Sequence, residues 1–155
     1  LKDTDIIADM NAAVDFLTAN AAIDNDRIGV TGFCMGGRVA WLMPAVNPIF
    51  KCTVPFYGVN IMGNWGPGDT PMSMTANINC PMMFHFGALD GNPSPEDRVQ
   101  LDTELKRLGK EYQFFNYEGA GHAFMDHTNQ DRHHESSANQ AWPRTLEFFN
   151  KHLKG

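Results

Sequence analysis

Cysteine is scarce, with three residues in 155, at positions 34, 52 and 80. An odd number without a C-x-x-C pair builds neither a disulfide framework nor a zinc site, so free thiols in a reducing, cytoplasmic setting are expected. Positive charge is also short. Twelve Lys and Arg stand against 18 Asp and Glu, a formal net charge of −6, which is the wrong sign for gripping nucleic-acid phosphates or an anionic membrane surface. No apolar run approaches the ~18 residues of a spanning helix. The opening, LKDTDIIADM, has neither an initiating Met nor the apolar stretch of a signal peptide, so the chain is expected to follow some upstream piece. Nothing calls for a metal or cofactor, and no repeat or low-complexity tract appears.

What remains is 43% hydrophobic and 19% charged. A chain of this size buries roughly 68–70% of the surface its unfolded form exposes, enough for one core, so residues 1–155 are expected to form a single domain. Ile7, Met10, Val14 and Leu17 recur at helical spacing behind the acidic Asp3 and Asp5, predicting a helix over 4–19. Arg27 to Phe33 has the length and β-branched content of a strand buried on both faces. A helix from Arg38 to about Val46 follows Gly36-Gly37 and is closed by Pro44 and Pro48. Cys52–Tyr57 is a second strand, and residues 60–80 are a long loop with a short helix, in which Met62, Trp65, Met72 and Met74 could line a pocket.

Pro81–Phe86 is a third strand. Ser94-Pro95-Glu96-Asp97 then spells an N-cap, a first-turn proline and a capping-box acid, and the helix stops at Gly109. Tyr112–Tyr117 is a fourth strand, and roughly 137–153 a closing helix with Trp142, Leu146, Phe149 and Leu153 inward. Strands alternating with helices predict an α/β protein on a mainly parallel sheet.

The sharpest chemical signal is Gly32-Phe33-Cys34-Met35-Gly36-Gly37, where a strand ends and a helix begins. A nucleophile on such a bend needs small residues two before and two after it, here Gly32 and Gly36. The bend sets the thiol at a helix N-terminus and aims the Met35 amide at a developing oxyanion. The competing reading makes Cys34 a small core residue and the glycines a turn or phosphate loop. A dinucleotide loop, however, needs glycine where Cys34 stands. Asp90 lies just past the third strand and His122 just past the fourth, at the carboxyl edge where open α/β sheets hold ligands. The order nucleophile, acid, histidine is that of α/β-hydrolases, giving His122 as general base and Asp90 as the group that holds its tautomer. His85, inside a strand, reads as a hydrogen-bonded core histidine, His133-His134 as a solvated face, and Cys52 and Cys80 as core filler.

These residues, with the flanking RIGVTGFCMGG, PFYGVN, FHFGALD and EGAGHAF, resemble the dienelactone hydrolase family of α/β-hydrolases, along essentially the whole chain. The resemblance implies a Cys-His-Asp triad hydrolysing ester or lactone bonds of a small-molecule substrate, with Tyr57 beside the pocket. It also implies two departures. Members acting on dienelactone carry an arginine shortly after the histidine to hold the substrate carboxylate, whereas here Met125 and Asp126 follow Phe124. A complete member has further strands before the bend, which supply a second oxyanion donor, a thiol-activating carboxylate and half the pocket. The expectation is therefore a partial α/β-hydrolase fold lacking its N-terminal strands, in which Arg27–Phe33 lies at a sheet edge and a homodimer covers it. A catalytically silent oligomerising or ligand-binding remnant, or a thiol sensor, stays open beside the hydrolase reading.

Overall fold

The computed structural model describes residues 1–154, and its elements run in the alternating order that the sequence predicts. Helix α1 (Asp3–Thr18) leads to strand β1 (Gly29–Phe33), helix α2 (Met35–Val46) and strand β2 (Cys52–Phe56). After the short α3 (Pro71–Met74) and a 3-10 turn at Thr75–Asn77 come β3 (Met82–Gly87), α4 (Pro95–Arg107), β4 (Tyr112–Tyr117) and α5 (Glu135–Leu153). The four strands are parallel in the order β1-β2-β3-β4. Their carboxyl ends therefore share one edge.

Helices cover both faces. On one side Trp41 of α2 and Leu101 and Leu105 of α4 bury Met82, Phe84 and Phe86. On the other, Ala141 and Phe148 of α5 pack on Cys52, Val54, Phe56 and Met83. The two central strands are buried along their whole length, as their unbroken apolar character requires. Strand β1 differs from the two-face burial expected: it begins at Gly29, lies at the sheet edge, and buries Val30 while Thr31 and Phe33 stay exposed. The edge position was expected, and among the described residues the face carrying Thr31 and Phe33 stays open.

Local signals formed as written. Ser94 accepts from the Asp97 amide and Asp97 accepts from the Ser94 amide, closing the capping box, with Pro95 at the start of α4 and Gly109 at φ +62° past its end. Helix α5 departs in phase. Its buried residues are Ser137, Ala141, Thr145 and Phe148, while Trp142 and Leu146 are 42% and 46% exposed. Phe149 and Leu153 do pack on the core as expected, but Trp142 and Leu146 point away, because the sheet takes the small Ala141 and the β-branched Thr145 in their place.

A buried polar relay holds α5 in that phase. Arg144 has only donors, so its Nη1 donates to the Tyr117 hydroxyl (3.1 Å). The Tyr117 proton must then go to His85 Nδ1 (2.9 Å), leaving Nε2–H for Thr145 Oγ1 (3.1 Å), which donates on to the Ala141 carbonyl (2.9 Å). Every polar atom of His85 is satisfied with the ring neutral, and burial lowers its pKa to about 3. The core-histidine reading holds.

Asp3 is no cap. It is buried and takes Nε and Nη2 of Arg38 on its two carboxylate oxygens (2.9 and 2.5 Å), and also the Trp65 amide (3.0 Å). Burial pushes its pKa up, but these bonds outweigh it and hold the carboxyl below its ordinary value. Arg38 also donates to the Asn60 and Gly63 carbonyls and lies over the Trp65 ring, so one buried ion pair ties α1, α2 and the loop after β2 together. Among the described residues, no helix is long and apolar enough to cross a membrane, and no three His, Cys, Asp or Glu side chains converge as metal ligands.

Candidate active site

Cys34 sits on the hinge between β1 and α2, at φ 56° and ψ −114°. That is a costly backbone for a residue with a Cβ, and its neighbours fix it there. Its amide donates to the Phe56 carbonyl (3.1 Å), while its own carbonyl accepts from Arg38 (3.2 Å) and Val59 (3.3 Å). A Cβ on Gly32 would lie 2.1 Å from the Gly36 carbonyl oxygen, so the bend closes only over glycine. The second tight position is Gly37 rather than Gly36. A Cβ there would lie 2.3 Å from the Phe56 carbonyl oxygen, whereas one on Gly36 would meet nothing within 4 Å.

Asp90 and His122 reach the same edge from the ends of β3 and β4. The two loops approach so closely at Gly87 that a Cβ would lie 2.5 Å from the carbonyl oxygens of Ala120 and Gly121. Asp90 is buried; its Oδ1 accepts from the Asn92 amide (2.9 Å), and Arg98 grips its backbone carbonyl (3.1 Å). Its other oxygen, Oδ2, takes His122 Nδ1 at 2.8 Å. The Asp90 bond raises His122 to about 9 against burial, which lowers it, and the nearby Cys34 adds to the rise. Nδ1 being engaged by Asp90, Nε2 is the nitrogen left to face sulfur. The structure thus joins His122 to Asp90 and sets Cys34 and His122 in the walls of one cavity.

Tyr57, at the end of β2, is also there. Its ring meets His122 edge-on at 5.1 Å, and its amide extends the ladder to the His85 carbonyl (2.8 Å). Burial pushes its phenol above the ordinary range. The Met35 side chain is half-exposed and lies outside the cavity, but its amide is the first of α2 and has no partner within the helix.

A cavity of about 770 Å³ opens over these groups, with Phe33, Cys34, Tyr57, His122, Met125 and Trp142 among its walls and Asp126, His127 and Arg132 beside them. Cys34, Tyr57 and Ala123, all in this lining, are three of the four non-glycine residues with positive φ among the described residues. Strained backbone collects at sites that need it. Met62 and Met72 pack instead into the core beside Trp41, and Trp65 stacks on Arg38, so the loop of 60–80 does not form the pocket. His133 and His134 are half-buried rather than a solvated face: their Nδ1 atoms pair with the Phe124 carbonyl (3.1 Å) and Ser137 Oγ (2.7 Å), pinning the loop that carries His122 to α5. Cys52 and Cys80 are free and lie away from this edge, raised by burial to about 12 and 11.

The pattern of the dienelactone hydrolase family matches residues 1–153. The chain belongs to that family. A Bradyrhizobium protein described as a 2-oxo-3-(5-oxofuran-2-ylidene)propanoate lactonase is 32% identical over all of this chain and 62% of its own length. An Escherichia coli K12 protein described as a carboxymethylenebutenolidase is 30% identical over 98% of this chain and 56% of its own. A solved dienelactone hydrolase structure from Klebsiella pneumoniae superposes with a TM-score of 0.85 at 31% identity, over 96% of this chain and 61% of that one. The four-stranded sheet is thus part of the α/β-hydrolase fold, and the chain spans about three fifths of these dienelactone hydrolase relatives.

Proposed function

We propose that the protein hydrolyses ester or lactone bonds of small molecules through Cys34, His122 and Asp90. The observation that carries this is the imidazole held by Asp90 at 2.8 Å, with Cys34 on its strained bend lining the same open cavity. In the fraction of molecules whose His122 ring is neutral, a fraction that grows as pH rises toward 9, Nε2 takes the thiol proton as Cys34 Sγ bonds to the carbonyl carbon. The oxyanion develops against the Met35 amide and the positive end of α2, one such donor being worth about 10²–10³ in turnover. Collapse breaks the bond to the alcohol oxygen, which leaves with the proton from His122. A water then gives its proton to Nε2, attacks the thioester and frees the acid, returning the proton to sulfur. Asp90 keeps Nδ1 protonated throughout and steadies the imidazolium. Dienelactone hydrolase kinship and the lactonase and butenolidase names of relatives support ester or lactone substrates.

The test is hydrolysis of p-nitrophenyl butyrate by wild type, Cys34→Ala and His122→Ala, each expected to lose about 10³-fold or more, with the double variant no worse than either. Equal rates for wild type and Cys34→Ala refute it. Two lesser parts of the proposal concern the whole molecule. Pairing of copies along the β1 edge would cover Phe33, and light scattering that shows a stable monomer at micromolar concentration excludes it. Three free thiols suit a reducing, cytoplasmic compartment.

A further inference from the structure

The charges at the mouth of the cavity differ in how firmly they are held. Asp126 Oδ1 accepts both the hydroxyl (2.6 Å) and the amide (3.1 Å) of Thr128, which fixes the carboxylate where it lines the pocket. These bonds hold it below the ordinary carboxylate range, with Arg132 and His127 nearby contributing. Arg132 lines the same cavity but makes no ion pair within 4.0 Å among the described residues, and its side chain is exposed. The remaining walls near sulfur are Phe33, Tyr57, Met125 and Trp142. Beyond the His122 imidazole, a substrate thus meets a largely apolar chamber whose mouth holds Asp126 as a fixed carboxylate with the exposed Arg132 beside it.

We infer that this cavity selects uncharged esters with apolar acyl groups and disfavours substrates that carry a carboxylate, and that Asp126 supplies the discrimination. The inference rests on the ester-hydrolase reading of the site. An apolar acyl chain gains by leaving water for the aromatic and thioether walls, whereas a carboxylate arriving beside a fixed carboxylate is repelled. For charges several ångströms apart near a protein surface, that repulsion corresponds to roughly three- to tenfold in kcat/KM.

The experiment compares kcat/KM for p-nitrophenyl butyrate with that for mono-p-nitrophenyl succinate, a similar acyl chain ending in a carboxylate, in wild type, Asp126→Asn, Asp126→Glu and Arg132→Gln. Wild type is expected to favour the butyrate. Asp126→Asn moves the ratio toward the succinate by roughly three- to tenfold, Asp126→Glu keeps it near wild type, and Arg132→Gln moves it the other way. Both shifts shrink as salt is raised toward ~1 M. A wild-type preference for the succinate, or an Asp126→Asn ratio equal to wild type, overturns the inference while Cys34-dependent turnover leaves the hydrolase reading standing. Turnover that survives Cys34→Ala, or none in any variant, removes both.

Discussion

Two adjacent glycines in the bend are expected to respond to the same substitution with opposite signs. Gly37→Ala places a methyl group 2.3 Å from the Phe56 carbonyl oxygen, 2.8 Å from Gly58 Cα and 3.0 Å from its nitrogen. All three are backbone atoms of the strand end that carries Tyr57, and no side chain can rotate away to make room. Overpacking of this kind costs about 2–3 kcal/mol. Gly36→Ala meets nothing within 4 Å, and its φ lies outside the left-handed region. There the methyl group removes unfolded-state freedom and favours α2, a gain of about 0.5–1 kcal/mol. At roughly 2–4 °C per kcal/mol for a chain of this size, thermal unfolding followed by far-UV circular dichroism should put Gly37→Ala about 5–10 °C below wild type and Gly36→Ala 1–3 °C above it. A Gly37→Ala midpoint within about a degree of wild type, or a Gly36→Ala midpoint as low as that of Gly37→Ala, would refute the reasoning.

Iodoacetamide at pH 7 should label Cys34 at least tenfold faster than Cys52 or Cys80, whose thiols burial raises to about 12 and 11; peptide mapping that finds even labelling contradicts this. Asp3→Asn leaves Arg38 buried without its counter-charge and should cost about 3–5 kcal/mol in urea unfolding, whereas a loss under 1 kcal/mol would show that the guanidinium finds water. Stability should fall on both sides of roughly pH 6.5. Below it, the unfolded chain protonates His85 while the folded chain, at about 3, does not, so each pH unit removes about 1.4 kcal/mol; His85→Gln should flatten that limb. Above it, His122, raised to about 9, stabilises the fold only while protonated, so its contribution fades as pH rises through 9; a His122→Ala profile that keeps this alkaline decline contradicts the assignment.

Elements signalled by local chemistry were legible from sequence. Ser94, Pro95, Asp97 and Gly109 bracket α4 because each meets a need of that helix's own backbone. The phase of α5 was not, since Trp142 and Leu146 look like core residues until the sheet's preference for Ala141, Thr145 and Phe148 is known. Asp3 stands in a first helical turn where acids are common, and only the approach of Arg38, 35 residues away, turns it into half of a buried pair.

The site divides along the same line. Groups placed to react at strand ends need small neighbours, and that constraint writes itself into short motifs around the candidates Cys34, Asp90 and His122. Walls carry no such constraint: Arg132 and Trp142 reach the cavity from the loop after His122 and from α5, at separations that no motif encodes. The placement of the candidate groups at one sheet edge is therefore readable from spacing, while the make-up of the cavity walls is not. An acidic residue four positions after the histidine gave no charge balance until the Thr128 bonds and the nearby guanidinium were in view. Substitutions that retune selectivity should accordingly fall outside the motifs, on Asp126, Arg132 and Trp142, and those that abolish turnover inside them.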